Sequence, residues 1–178
     1  KEQAKRYAGN AIFLLFSLGV LLCVAVRVFL EPMMNLFGAT PDIMEYSLTY
    51  TGITSLGFPF LILTTGGSNL IRADGSPRFS MICTLTGAIL NTILDPLFIF
   101  GFGMGMAGAA LATIIGQIVS GIMVIIYFSR FFKTVDLTLS TLIPSFQHCK
   151  DIVRLGMAPC FNQLAMMVVQ IAMNNILR

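Results

Sequence analysis

An all-α bundle of membrane-spanning helices is the fold class that three observations predict. The first is composition: 56% of the 178 residues are hydrophobic and only 11% are charged, with a mean hydropathy of +0.86. Soluble domains are about 25% charged, and eight acids with eleven bases cannot cover a water-exposed surface of this size. The second is the presence of stretches that reach the ~20 mostly apolar residues needed to cross hydrocarbon. Open strands would leave their backbone groups unpaired in lipid, so these stretches are helices. The third is a lopsided distribution of Lys and Arg between the connections. A soluble globular domain, a disordered chain and a nucleic-acid binder are excluded, since a net charge of +3 reflects where a few charges sit and not a basic groove.

The first span is expected at residues 11–30, ending at Glu31-Pro32. The basic start Lys1–Arg6 and the apolar run that follows have the outline of a signal peptide. The run continues past Arg27 without a small-residue cleavage site, which makes it a membrane span. The second span covers 47–70, with Pro59 expected to kink it. The third covers 79–100 and is interrupted by Asp95-Pro96; the fourth covers 106–128; the fifth covers 155–177, with Pro159 near its start. The first four are joined by short turn-rich links carrying Gly38 and Pro41, Gly75 and Pro77, and Gly101 and Gly103, which make successive helices antiparallel neighbours. Only residues 129–150 form a longer connection, with Pro144, the sole His148 and a strand-like run at 135–139; it is expected to be a linker with little chemistry of its own.

Five such spans place Lys1, Lys5, Arg6, Arg72, Arg78, Arg130, Lys133, Lys150 and Arg154 on one side, and Arg27 and Arg178 on the other. Cationic loops stay cytoplasmic, so the N-terminus is expected in the cytoplasm of a cell-membrane protein. The chain starts on Lys1 and stops on Arg178 directly after an apolar run, which suggests a piece of a longer protein. The four cysteines include no C-x-x-C pair and three lie in apolar runs, so no disulfide is expected.

Chemistry is expected where polar groups interrupt the spans. Asp95 is the leading candidate, because a carboxylate within a membrane is unfavourable by a few kcal/mol and marks function by default. Asn91 lies one turn earlier on the same face, which Ala88 and Thr84 continue. Pro96 has no N–H, so the carbonyl of Thr92 loses its helical partner. An acid, an amide and a free carbonyl are hard oxygen ligands suited to Na⁺, or to a proton relay, and the two would compete. The alternative is an Asp95 solvated near the outer interface.

In the fourth span Gly108, Ala112, Gly116 and Ser120 form a small-residue stripe for close helix packing. Thr113 and Gln117 lie one position round, toward the Asp95 side. Thr65 and Asn69 share a face of the Thr-rich second span and either wall a polar cavity or satisfy themselves locally. The fifth span places Asn162 and Gln163 near Met166 and other methionines, either an adaptable wall for varied apolar substrates or ordinary helix packing. Gly101–Gly108 lacks the spacing of a phosphate-binding loop, His148-Cys149 has no further zinc ligands, and no catalytic triad is possible around one linker His. Enzymatic chemistry is not supported.

Three blocks carry a family resemblance: Asn69-Leu70-Ile71-Arg72-Ala73-Asp74-Gly75-Ser76-Pro77-Arg78, then residues 87–100 with Asp95-Pro96-Leu97-Phe98, then 105–117, Gly-Met-Ala-Gly-Ala-Ala-Leu-Ala-Thr-Ile-Ile-Gly-Gln. Together they resemble the multidrug and toxic compound extrusion (MATE) family, in its bacterial multidrug-export branch. The resemblance implies helices three to seven of a twelve-helix, two-lobe transporter: a partial N-lobe over 1–128, an interlobe linker over 129–150, and the first C-lobe helix over 151–178. It implies export of amphiphilic, cationic drugs in exchange for Na⁺ or H⁺ by alternating access, with no other cofactor and no nucleic-acid partner. It implies a cation site at Asn91, Asp95 and Thr113, with Asn69 as a further polar partner, completed by helices outside these 178 residues. A lipid-linked saccharide flippase is the alternative, disfavoured because Arg27 is the only cation within a span; a non-transporting remnant is the other.

Overall fold

A computed structural model describes residues 2–131 and 146–176. Its α-helices are α1 (Glu2–Val28), α2 (Leu30–Leu36), α3 (Pro41–Thr54), α4 (Phe58–Ala73), α5 (Pro77–Pro96), α6 (Gly105–Arg130) and α7 (Phe146–Ile176). No strand occurs among the described residues. Four segments are long and apolar enough to cross a membrane: Arg6–Val28, Pro41–Ala73, Pro77–Gly101 and Gly105–Arg130. Gln147–Arg154 and Pro159–Met173, bent by 47° within α7, make a fifth when taken as one span. Leu21, Ile93 and Val168 are more than half exposed, as side chains facing lipid are; in water such a surface would aggregate.

Prolines set most of the helix boundaries. The first span breaks at Phe29, and Glu31-Pro32 enters the first turn of α2 instead of ending the helical region. A first-turn residue has no intrahelical N–H partner, so Pro is tolerated there. The second span divides into α3 and α4 at a 3₁₀ turn, Ser55–Gly57, and Pro59 follows in the first turn of α4. This is the kink the sequence predicts, resolved as a break. In the third span α5 ends on Pro96 and continues as a single π-helical turn, Leu97–Gly101, closed by the Phe102 N–H on the Leu97 carbonyl at 3.0 Å.

The fifth helix differs from expectation at its start. It begins at Phe146, so His148 and Lys150 are helical and not part of a linker, and α6 likewise runs on through Arg130. The bend falls at residues 155–158, immediately before Pro159, whose ring crowds the carbonyl four residues earlier. The strand-like run at 135–139 and Pro144 lie outside the described residues.

Small residues bring α4, α5 and α6 together. Gly108, Ala112, Gly116 and Ser120 are all buried, as the stripe predicts. A Cβ on Gly116 would stand 2.7 Å from the Gly87 carbonyl oxygen, and one on Gly87 would stand 2.8 Å from the Gly116 oxygen. Beside this contact the Ser120 hydroxyl donates to the Cys83 carbonyl at 2.9 Å. Gly67 packs on Val124 and Phe128, and these two join Leu63, Ile71, Cys83 and Tyr127 in the buried core. On the other side of α4, Gly19 of α1 meets the backbone of Pro59.

The turn after α4 is fixed from α6: the Tyr127 hydroxyl donates to Asp74 at 2.7 Å. Arg72 Nε donates to Ser80 Oγ at 3.1 Å across the same turn, and Gly75 supplies the positive φ of 81° that closes it. Tyr127→Phe keeps the ring packing and removes one charge-assisted bond. It should lower stability by about 1–2 kcal/mol, read as a lower midpoint of thermal unfolding in detergent with the fold unchanged.

Candidate functional site

The site is built where α5 and α6 run side by side and α3 closes over them. Asn91, on α5, is its centre. Its Nδ2 donates to Asp95 Oδ1, one turn along the helix, at 3.3 Å and to Thr113 Oγ1 on α6 at 3.2 Å. The Thr113 hydroxyl donates to its own helix at the Ala109 carbonyl, 3.0 Å away. It also lies 3.4 Å from the Tyr50 hydroxyl of α3. The approach of Gly87 to Gly116, one turn away, is what sets Asn91 within reach of Thr113. Asp95, Asn91 and Thr113 are all half-buried.

A cavity of about 250 Å³ opens from this cluster between α4, α5 and α6. Thr64, Thr65, Thr84, Asn91, Thr113 and Gln117 are among its walls. The Thr64 hydroxyl and Gln117 Oε1 are buried without a hydrogen-bond partner among the described residues. An orphaned buried oxygen is unfavourable, and a polar cavity of this size holds several waters. Gln117 reaches the 3₁₀ break, where its amide oxygen packs against Gly57.

The predicted residues thus fall into three places. Asn91, Asp95 and Thr113 form one hydrogen-bonded cluster, and Thr65 and Gln117 line the cavity beside it. Asn69 is set apart: it lines a different, largely apolar cavity of about 470 Å³ with Leu14, Leu15 and Ile152, between α1, α4 and α7. Thr65 and Asn69 keep one exposed face of α4, but one turn apart they border different cavities. Asn162, Gln163 and Met166 are exposed on α7, beyond its bend, and border neither cavity. Sequence reasoning missed Tyr50; its only signal is an aromatic hydroxyl in a Thr-rich apolar stretch. Arg27, the in-span cation, is near the membrane edge and donates to the Gly52 carbonyl at 3.2 Å.

The donor set suits a small hard cation or a proton. It offers one carboxylate, one hydroxyl oxygen and one amide, with no thiolate or imidazole. Among the described residues no three His, Cys, Asp or Glu side chains gather as a metal centre. The Asn91 amide faces both neighbours with its N–H groups; half a turn about its last side-chain bond presents its carbonyl instead. One residue can therefore hold the cluster closed without a cation and ligate one when it arrives.

A carboxylate hydrogen-bonded within the apolar helices of a multi-pass membrane protein marks a candidate site for an ion or a substrate. The MatE family model matches residues 1–97, and the chain belongs to that family. It is 33% identical over 152 residues to the multidrug export protein MepA of Staphylococcus haemolyticus, a match covering 85% of this chain and 33% of that protein. It is 31% identical over 157 residues to MepA of Staphylococcus saprophyticus, covering 88% and 35%. Among solved structures it resembles a MATE crystal structure in the bent conformation, with a TM-score of 0.87, 28% identity and coverage of 94% of this chain and 38% of that one. An inward-facing multidrug resistance MATE transporter gives a TM-score of 0.82 at 28% identity, covering 96% and 40%. The chain therefore spans about a third of the length of the curated relatives it matches. Those relatives are transporters by name and not enzymes.

Proposed function

We propose that these residues form part of a multidrug efflux antiporter, driven by Na⁺ or H⁺, that works by alternating access. The observation that carries the reading is the Asn91 amide, which joins Asp95 and Thr113 into one cluster at the edge of a polar cavity. Asp95 is the charge that binds the coupling ion, Asn91 switches between donor and ligand, and Thr113 supplies a neutral oxygen held in place by Ala109 and Tyr50. Asn69 is a polar wall of a second cavity and not a member of this cluster. Drug contacts come from Thr65 and Gln117, and from Asn162, Gln163 and Met166 once further helices of the full-length protein face them. The substrates are amphiphilic cations, as expected for a cavity whose nearest formal charge is a carboxylate. The N-terminus faces the cytoplasm, on the side of the Lys and Arg excess, with residues 1–128 in one lobe and α7 opening the next.

The test is drug transport by the full-length protein in proteoliposomes under an imposed Na⁺ or H⁺ gradient. Thr113→Val keeps the shape of the side chain and removes the oxygen. Losing one ligand of about 1.5 kcal/mol should raise the cation concentration for half-maximal transport about tenfold. Phe161→Ala, on the exposed face of α7, should leave that concentration unchanged. Transport by Thr113→Val with the wild-type ion dependence would remove Thr113 from the site.

A further inference from the structure

The starts of α1 and α7 touch through polar groups. The Tyr7 hydroxyl donates to Asp151 Oδ2 at 3.0 Å. The Tyr7 ring stands edge-on to His148, with centroids 4.6 Å apart and planes at 73°. The Cys149 thiol lies 4.0 Å from Asn10 Oδ1, and Asn10 is itself anchored by donating to the Arg6 carbonyl at 2.7 Å. His148 Nδ1 has no hydrogen-bond partner among the described residues. Deeper in the membrane the contact is not continued by close packing: the cavity of about 470 Å³ separates Ile152 and Val153 of α7 from Leu14, Leu15 and Leu18 of α1. Beyond that point α7 turns away by 47°, and Phe161, Met166 and Val168 are more than 60% exposed.

A packed apolar seam behaves as one rigid piece. A few polar contacts above a void can part and reform, because each is individually weak and water or headgroups can take over its partners. We propose that Tyr7 and Asn10 with His148, Cys149 and Asp151 form a releasable clasp that holds the first helix of the second lobe against the first lobe in one transport state and opens in the other. This rests on the reading of α7 as the first helix of a second lobe in an alternating-access cycle.

The test uses the full-length protein with its other accessible cysteines replaced by Ser, Asn10→Cys paired with the native Cys149, and a protease site placed within residues 132–145. Oxidation should join the two fragments left by cleavage. Drug efflux by the joined protein should fall to about a tenth or less, since one of the two states is then locked, and reduction should restore it. The cross-linking rate should change at least about threefold when drug and coupling cation are added, as the two states are repopulated. A disulfide that forms while efflux continues, or a rate indifferent to drug and cation, would show a permanent strut and overturn the clasp; so would the absence of any cross-link. If Asn10→Cys does not accumulate, Tyr7→Cys with Asp151→Cys and a short bifunctional thiol reagent reads the same outcomes. The cross-linking rate needs no contribution from Asp95, so an Asp95→Asn protein that still exports drug would defeat the cation site and leave the clasp standing.

Discussion

If the proposed coupling site is right, Asp95→Asn in the full-length protein should abolish drug efflux while the protein still accumulates and folds. The two halves of this result have separate physical causes. Asn at 95 keeps an oxygen where Asp95 Oδ1 now accepts from Asn91 Nδ2 at 3.3 Å, so the helix pair loses no hydrogen bond. The substitution removes only the charge. A bond to a charged group is worth about 1.5–3 kcal/mol and one to a neutral oxygen about 0.5–1.5, a difference of up to about 2.5 kcal/mol, so cation affinity should fall by up to about 70-fold. The measurement is drug accumulation in cells expressing equal amounts of each protein, with cation-dependent drug release from membranes as the second readout. Unchanged drug resistance at equal expression would remove Asp95 from the coupling site. Asn91→Asp is the informative companion: two carboxylates one turn apart repel each other until a cation or proton binds between them, and the variant should work at a lower cation concentration or a higher pH.

Gly87→Leu should strongly destabilise the protein and sharply lower its folded yield. A Cβ at position 87 would stand 2.8 Å from the Gly116 carbonyl oxygen and would also collide with the Ser120 hydroxyl. Backbone cannot step aside as a flexible side chain can, so α5 and α6 would have to separate. The Ser120 bond to the Cys83 carbonyl, 2.9 Å and buried, would break with them. Overpacking a tight core typically destabilises by about 1–3 kcal/mol, and the added loss of a buried hydrogen bond takes another 1 kcal/mol or so. The sum is a large part of the roughly 5–15 kcal/mol that holds a domain together. Gly87→Ala should survive with a lower unfolding midpoint. Gly156→Leu is the control, because among the described residues nothing lies within 4 Å of the Cβ it would add. Equal yields of monodisperse protein from Gly87→Leu and Gly156→Leu would refute the close approach.

The spans were legible in the sequence because apolar length and proline position are local signals. Pro59, Pro96 and Pro159 each mark a real discontinuity, and the small-residue stripe from Gly108 to Ser120 is the buried face of α6. The start of α7 was not legible: residues 146–154 carry a His, a Lys, an Asp and an Arg, which read as a connection until α1 is seen to supply partners for them. The core of the candidate site was legible in part, since Asn91 and Asp95 lie on one helix at a spacing of four. That Thr113 completes it and Tyr50 borders it depends on how α3 and α6 pack, which spacing within one helix does not encode. That Asn69 borders a different cavity was not legible for the same reason, because a shared helix face says nothing about which neighbour covers each turn.

The break at Ser55–Gly57 has a consequence for the surrounding bilayer. The segment from Pro41 to Ala73 has 33 residues, which would reach about 50 Å as one straight helix at 1.5 Å per residue. A typical hydrocarbon core is only about 30 Å thick. A straight rod of that length must tilt steeply, stretch the lipid around it or stand out into the headgroups. A jointed one can fold its excess away by changing the angle between α3 and α4, and the joint sits where Gln117 of α6 meets Gly57. The joint thereby places a thickness-sensitive segment against α6, the helix that carries Thr113.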